Sequence, residues 1–263
     1  MRKLLPGMLI LLLFFSFNTH AKECVVLLHG LARTAGAMEK MAKALNEAGY
    51  VAVNIDYPSR DYAIEILAPM VVPAALGQCV EQKATPIHFV THSMGGILLR
   101  YYLQDQTIAN LGRVVMMGPP NQGSQVVDKL KSVPGFAAFN GPAGLQLGTG
   151  DEDIPKKLGA VNFELGVIAG TRSINWILSR YLPNPDDGKV SVENTRVDGM
   201  CALVTVPVTH PYLMKRKKVF KQVVSFLENG TIFGEAAQQI DCAAQKHLPM
   251  CEGENCYSST SGL

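Results

Sequence analysis

Short runs of apolar residues alternate along the chain with stretches whose apolar residues recur at helical spacing. The run at Cys24–Leu28 is continuous and ends in turn-forming residues, which is typical of a strand covered on both faces. Similar runs follow at residues 51–55, 86–91, 112–117, 163–168 and 200–208, and helical spacing is seen at residues 36–49, 63–76, 94–104 and 219–227. Pro69 and Pro73 predict a kink or a break in the second helix. The alternation predicts an α/β fold with a mostly parallel sheet and helices on both faces.

The rhythm breaks between residues 125 and 160. Prolines and glycines recur there, yet Phe136, Phe139, Leu145 and Leu147 are too apolar for a simple surface loop. A long connection with little regular structure is usually functional or disordered. We interpret residues 125–160 as a small cap, with Phe136 and Phe139 lining a pocket for an acyl chain. A packed loop that takes no part in binding is the alternative.

The sequence Thr91-His92-Ser93-Met94-Gly95-Gly96 joins a predicted strand to a predicted helix. It matches the G-x-S-x-G pattern of a nucleophile elbow, with Thr91 in place of the first glycine. Such a turn lifts the serine hydroxyl above the sheet, and small neighbours such as Gly95 relieve its crowding. The alternative is an ordinary strand-to-helix turn in which Ser93 caps the helix.

A serine hydroxyl needs a base to act as a nucleophile near neutral pH. His210 follows the last predicted strand, at the sheet edge where Ser93 also lies. The other histidines lie in the leader, the strands, the turn itself or the C-terminal tail: His20, His29, His88, His92 and His247. Elimination therefore predicts His210 as the base.

The base needs a carboxylate that holds its imidazole. Asp187, in an Asp-Asp-Gly turn between Ser93 and His210, is our choice, and the remaining candidates are Asp186, Glu193 and Asp198. Each could also simply form a turn. Backbone N–H groups of Leu31 and Met94 are the expected donors to an oxyanion.

Five blocks of sequence resemble bacterial lipases and esterases of the α/β-hydrolase superfamily. They are LLHGLART at residues 27–34, THSMGG at 91–96, GPPNQGS at 118–124, DGKVSVENT at 187–195 and VPVTH at 206–210. The resemblance covers about residues 24–227, and a threonine at position 91 is an accepted variant in this group. It implies an α/β-hydrolase fold and ester hydrolysis without a metal or an organic cofactor.

The resemblance also implies specific roles at the site. Ser93 would be the nucleophile, Asp187 the acid and His210 the base, with Leu31 and Met94 as oxyanion donors. We further expect the substrate to contact a set of residues near these blocks and in the cap: His29, Gly30, Pro119, Asn121, Phe136 and Phe139.

Composition bears on compartment and partners. The net charge of +2 is too small to suggest nucleic acid as a partner. Residues 1–21 have the charged, apolar and small-residue layout of a signal peptide, with an uncleaved anchor as the alternative. Six cysteines suit disulfides in an exported protein, periplasmic or secreted, although Cys242, His247, Cys251 and Cys256 could also be drawn as a zinc site.

We therefore expect a hydrolase domain at residues 22–230, followed by a polar, cysteine-containing tail at 231–263. The predicted function is that of an exported serine carboxyl-ester hydrolase acting on a small-molecule ester or a lipid. A thioesterase or acyltransferase on the same triad is one alternative, and a catalytically silent binding protein is another. Residues 215–218, Lys-Arg-Lys-Lys, read as a solvated face, with transient contact with a membrane or lipid interface as the alternative.

Overall fold

The computed structural model describes residues 22–240, which form one seven-stranded sheet. The strands are β1 Cys24–Leu28, β2 Val51–Asn54, β3 Ile87–His92, β4 Leu111–Met117, β5 Leu165–Gly170, β6 Ala202–Val206 and β7 Ala237–Gln239. Their order is β2-β1-β3-β4-β5-β6-β7, with every neighbouring pair parallel except β6 and β7. The predicted α/β architecture is confirmed. The predicted signal peptide at residues 1–21 lies outside the described residues. So do the four residues of the possible zinc site, Cys242, His247, Cys251 and Cys256.

Eight helices connect these strands within residues 22–240. They are α1 Glu39–Glu47, α2 Ile64–Glu81, α3 Met94–Asp105, α4 Gln125–Leu130, α5 Phe136–Leu145, α6 Ile154–Lys157, α7 Trp176–Ser179 and α8 Lys217–Asn229. Short 3-10 segments lie at Ala35–Ala37, Glu193–Thr195 and His210–Lys215.

The side chains of β1 show why helices cover both faces of the sheet. Val26 and Leu28 belong to one buried cluster, which includes the apolar sides of α2 and α3. Val25 and Leu27 belong to a second cluster, which includes residues of α1 and α8. Because successive side chains of a strand point to opposite faces, the continuous apolar run at Cys24–Leu28 fills both clusters.

Helix α2 corrects the expectation of a break at the prolines. It runs as one helix from Ile64 to Glu81 with Pro69 and Pro73 inside it. Both prolines face solvent, so water can solvate the carbonyl groups that lose a helical partner. The opposite side of α2 is buried against the sheet, which marks it as a core helix although its length and composition alone would suit a membrane span.

The insertion at residues 125–160 contains more regular structure than expected, since α4, α5 and α6 lie within it. Helix α5 is interrupted at Gly141, where φ is 68° and ψ is −175°. A Cβ atom at this position would lie 1.8 Å from the carbonyl oxygen of Arg60. The glycine thus allows the insertion to pack directly on the loop after β2.

The sheet continues beyond the predicted domain boundary at residue 230. Strand β7 pairs antiparallel with β6, with Ala237 opposite Val204, and Ile232 is buried in the second core cluster. Ala237 is only half-buried and the two glutamines are exposed, so this strand contains no apolar run. This explains why the sequence Ala-Gln-Gln reads as part of a tail.

A disulfide between Cys24 and Cys79 ties β1 to α2 across 55 residues. Replacing both cysteines by alanine should lower the free energy of unfolding by about 2–4 kcal/mol, because the unfolded chain gains freedom. Denaturant unfolding of the two oxidised proteins measures this difference. Reduction should then destabilise the unaltered chain more than the double variant, and equal losses would contradict a stabilising role.

Candidate active site

Ser93 lies in a strained turn between β3 and α3. Its φ is 54° and its ψ is −124°, a conformation that few residues other than glycine adopt. Such strain costs about 1–3 kcal/mol and persists only where the surroundings enforce it. The Ser93 N–H donates to the carbonyl oxygen of Met117 at 2.9 Å, so β4 helps to hold the turn.

The glycines after Ser93 make this turn sterically possible. A Cβ atom at Gly95 would lie 2.5 Å from the carbonyl oxygen of Leu28, so the start of α3 packs directly on the end of β1. A Cβ atom at Gly96 would lie 3.1 Å from Oγ1 of Thr91. The larger residue at position 91 is therefore accommodated by the absence of a side chain at position 96.

His210 connects Ser93 to Asp187. Its Nε2 lies 3.0 Å from Oγ of Ser93, and its Nδ1 lies 2.7 Å from Oδ2 of Asp187. Asp187 and His210 are buried, whereas Ser93 is half-buried and lines a cavity. With Nδ1 donating to the carboxylate, Nε2 carries a lone pair that can accept a hydrogen bond from the Ser93 hydroxyl.

Backbone hydrogen bonds fix both the side chain and the main chain of Asp187. Oδ1 of Asp187 accepts hydrogen bonds from the N–H groups of Lys189 at 3.0 Å and Val190 at 2.9 Å. Its carbonyl oxygen accepts from the N–H of His210 at 3.0 Å. Space for this pair depends on Gly118, where a Cβ atom would lie 3.0 Å from Oδ2 of Asp187.

The other candidate carboxylates lie away from the imidazole. Oδ1 of Asp186 accepts from the hydroxyl of Ser179 at 2.8 Å and from the N–H of Gly188 at 2.7 Å, as in a turn. Glu193 is the first residue of a 3-10 segment. The main-chain carbonyl oxygen of Asp198 accepts a hydrogen bond from the N–H of Val161. The geometry therefore favours Asp187 among the four.

Two backbone N–H groups are available beside Ser93. Neither the N–H of Leu31 nor that of Met94 has a hydrogen-bond acceptor within residues 22–240. Met94 is the first residue of α3, where N–H groups have no helical partner. Leu31 lies in the turn after β1 and lines the same cavity as Ser93. Both groups are thus free to bind an oxyanion.

A cavity of about 200 Å³ opens beside Ser93 and His210. The insertion supplies much of its apolar wall, and Gly30, Arg33 and Lys189 also line it. Its apolar lining residues are Leu31, Val126, Val127, Phe136, Phe139, Leu147 and Val190. The structure thus places Phe136, Phe139 and Gly30 at the cavity, and their contact with a substrate stays a prediction.

Three residues expected to contact substrate do not line this cavity. His29 is fully buried and stacks on Tyr57, with ring centroids 3.8 Å apart. Pro119 is also buried, and its neighbour Pro120 lines the cavity instead. Asn121 is fully buried, and its side chain accepts a hydrogen bond from Arg100 and donates one to the carbonyl oxygen of Thr195. His29 and Asn121 thus belong to the buried contacts that support the site.

Arg100, which the sequence did not indicate as part of the site, joins two of the segments that support it. Its guanidinium donates to the carbonyl oxygen of Asn121 at 3.0 Å, to Oδ1 of Asn121 at 3.2 Å and to the carbonyl oxygen of Gly159 at 2.6 Å. Burial lowers the pKa of Arg100 to about 10, so the group remains charged at neutral pH. Arg100 thereby fixes the loop after β4 against the end of the insertion.

His92 holds the backbone of His210 in place. Its Nε2 lies 3.1 Å from the carbonyl oxygen of His210, and the two rings are 4.8 Å apart. Because a carbonyl oxygen only accepts, Nε2 of His92 must carry the proton. Burial, aided by the nearby His210, holds the pKa of His92 well below 6.5, which keeps the ring neutral. His92 is therefore a positioning residue for the loop that carries His210.

The sheet, the strained serine turn and the order Ser-Asp-His together define the α/β-hydrolase class. A profile of the palmitoyl protein thioesterase family matches residues 24–152. This match spans just under half of the chain and includes Ser93, but it ends before Asp187 and His210. A search of curated proteins finds no match.

Solved lipases share this fold. The lipase BlEst2 of Bacillus licheniformis aligns in its propeptide form with a TM-score of 0.67 and 21% identity, over 84% of this chain and 54% of that chain. Its mature form aligns with a TM-score of 0.59 and 22% identity, over 81% of this chain and 93% of that chain.

Phospholipase PlaB from Legionella pneumophila aligns with a TM-score of 0.58 and 16% identity, over 80% of this chain and 63% of that chain. The chain thus spans about half the length of the propeptide form of BlEst2 and nearly all of the mature form. These likenesses confirm the α/β-hydrolase fold.

Buried neutral histidines should make stability depend on pH. Burial lowers the pKa of His29, His88 and His92 below 6.5, so each stays neutral in the fold while the unfolded chain becomes protonated. Stability should therefore fall as the pH drops below about 6.5. Replacing His92 by Phe should flatten this fall by up to about 1.4 kcal/mol per pH unit. Denaturant unfolding over a pH series measures the slope, and an unchanged slope would refute the neutral buried state.

Proposed function

We propose that the protein is an exported serine carboxyl-ester hydrolase, a lipase or esterase, that works through an acyl-enzyme. The observation that supports this most strongly is the chain of contacts from Ser93 through His210 to Asp187, at 3.0 and 2.7 Å. The three groups come from loops after different strands and meet at one cavity. A hydroxyl, a base and an orienting carboxylate in this order are what nucleophilic acyl transfer requires.

In the first half-reaction, Oγ of Ser93 attacks the acyl carbonyl carbon while Nε2 of His210 takes the hydroxyl proton. The carbonyl oxygen becomes an oxyanion, which the N–H groups of Leu31 and Met94 stabilise. When the tetrahedral species collapses, the bond to the alcohol breaks. His210 gives its proton to the leaving oxygen, and Asp187 stabilises the transient imidazolium.

In the second half-reaction, water attacks the acyl-Ser93 ester and loses its proton to His210. The same two N–H groups hold the second oxyanion. Collapse releases the carboxylic acid and returns the proton to Oγ of Ser93. The buried position of Asp187 favours this cycle because the low local dielectric strengthens its attraction for the imidazolium.

The cavity wall supports an apolar acyl group. Side chains from α4 and α5 form much of this wall, and Phe136 contributes an aromatic ring to it. Cavities that bind small molecules are usually apolar with a few placed polar groups, as here. Residues 125–160 would act as a cap whose apolar side chains hold the acyl chain.

Thioester hydrolysis is the second candidate function. The palmitoyl protein thioesterase profile over residues 24–152 favours it, since that segment carries Ser93 and part of the apolar wall. The same groups would perform the attack, and a thiol would leave in place of an alcohol. Comparing kcat/KM for oxyesters and acyl thioesters with the same acyl chain decides between them.

Export is also a proposal. The layout of residues 1–21 and the six cysteines support it, and the pair Cys24–Cys79 supports an oxidising compartment. Detection of a mature N-terminus at residue 22 in a periplasmic or culture fraction would test it.

Replacing Ser93 by Ala should abolish hydrolysis of p-nitrophenyl esters, with a loss in kcat of roughly 10⁴- to 10⁶-fold. Asp187→Asn should lower kcat by roughly 10⁴-fold, because the imidazole loses its orienting anion. The exposed Ser132→Ala is a matched control and should keep full activity. Hydrolysis by Ser93→Ala at the rate of this control would exclude the proposed nucleophile.

Removing the Phe136 ring from the cavity wall should change which acyl chain lengths the enzyme prefers. Phe136→Ala should lower kcat/KM for long-chain esters by roughly 10-fold, because an apolar contact with the chain is lost. Acetyl esters, which do not reach this ring, should be hydrolysed as before. Val133→Ala, an exposed position in the same insertion, serves as the control. An equal loss for acetyl and long-chain esters would mean that Phe136 acts on the fold and not on the acyl chain.

A further inference from the structure

The segment at residues 172–181 exposes an unusual amount of apolar surface. Ile174 is 75% exposed, Trp176 is 68% exposed and Ile177 is 52% exposed, around the short helix α7. Phe139 of the insertion is 65% exposed, and Tyr212 is 44% exposed in the loop after His210. Exposed apolar residues that cluster in this way mark an interaction surface.

Cations surround these apolar residues. Two surface depressions that share Ile174, Tyr212 and Lys215 are lined by seven cationic residues and no carboxylate. The cationic residues are Arg33, Arg60, Arg172, Lys215, Arg216, Lys217 and Lys218. We call these cations, with Phe139, Ile174, Trp176, Ile177 and Tyr212, the docking face.

The charge of the docking face is not neutralised within residues 22–240. No ion pair there includes Arg172 or any of residues 215–218. Asp56 and Asp61 lie beside Arg33 and Arg60, in a separate depression at the margin of the face. Burial, together with the neighbouring cations Arg172 and Arg216, lowers the pKa of Lys218.

The docking face borders the mouth of the active-site cavity. Arg33 and Phe139 line both the cavity beside Ser93 and the first of the two depressions. Tyr212 lies two residues after His210, and the guanidinium of Arg216 lies 5.4 Å from its ring. A surface bound to this face would therefore lie at the entrance to the cavity.

We propose that the docking face binds the surface of an anionic phospholipid bilayer. Isoleucine side chains can enter the acyl region, while tryptophan and tyrosine rings are suited to the headgroup level. Each Lys or Arg near an anionic membrane attracts it, and this face offers several side by side. The proposal deepens the proposed function, since a docked enzyme would take a lipid ester from the bilayer into the cavity, but the binding itself does not require catalysis.

A second copy of the chain fits this surface less well. In a symmetric contact the same patch would face itself, so the unpaired cations would oppose each other. Arg180, whose guanidinium lies 5.5 Å from the Trp176 ring, would add to this repulsion. Lipid phosphates, by contrast, supply the missing negative charge.

Trp176 is the only tryptophan in the chain, so its fluorescence reports on the docking face directly. The full-length Ser93→Ala protein is mixed with vesicles of phosphatidylcholine, with and without phosphatidylglycerol. We expect a blue shift of the Trp176 emission and its quenching by brominated acyl chains only when phosphatidylglycerol is present. High salt should weaken this binding. Because the serine is absent, the result does not depend on hydrolysis.

Two pairs of variants separate the charge from the apolar contact. Lys217→Gln with Lys218→Gln should weaken vesicle binding by roughly 25-fold. Lys22→Gln with Lys83→Gln removes the same charge away from the docking face and should leave binding nearly unchanged. Ile174→Ser with Ile177→Ser should remove the blue shift, whereas Ile66→Ser with Val80→Ser on the solvent side of α2 should not.

Three results would overturn the proposal. The first is no blue shift with vesicles that contain phosphatidylglycerol, and the second is equal binding to neutral and anionic vesicles. The third is a Trp176 shift that depends on protein concentration without vesicles, which would identify a second copy as the occupant. If the protein with Ser93 unchanged still hydrolyses soluble esters in any of these cases, the proposed function stands and only the membrane-binding proposal fails.

Discussion

The strained backbone of Ser93 is the constraint on which the site depends. A residue with φ of 54° at the end of β3 raises its hydroxyl above the sheet, and the contact between Gly95 and the carbonyl oxygen of Leu28 allows α3 to begin there. The same contact places the N–H of Met94 beside the hydroxyl. Packing of β1, β3 and β4 thus determines the positions of the Ser93 hydroxyl and of the Met94 N–H group together.

Local sequence was sufficient where the chemistry is local. The continuous apolar run of β1 predicted a strand of the sheet, which the structure confirms. The turn pattern around Ser93 and the elimination of the other histidines predicted two residues that lie 3.0 Å apart in the structure. The sequence favoured Asp187 as the carboxylate but could not exclude Asp186, because the two are adjacent in the same turn before Gly188. Their difference depends on which carboxylate faces His210, a residue more than twenty positions further along the chain.

Contacts between distant segments were beyond the sequence. His92 binds the carbonyl oxygen of a residue 118 positions away, and Asn121 points to Arg100 and not to the cavity. Arg100 interrupts the apolar stretch Ile-Leu-Leu-Arg-Tyr-Tyr, but the sequence does not show which distant groups it binds. Likewise, the sequence does not show that the basic run at residues 215–218 lies beside the exposed apolar residues of the 172–181 segment. Only the fold brings the two segments together.

In the proposed mechanism, His210 and Asp187 make the hydroxyl of Ser93 nucleophilic. Reaction of the folded protein with a fluorophosphonate, followed by mass spectrometry of its peptides, tests this most directly. We predict a single phosphonyl adduct on Ser93 that forms rapidly at neutral pH and is strongly slowed by His210→Gln. The absence of an adduct on Ser93, or one that forms equally fast without His210, would contradict the account.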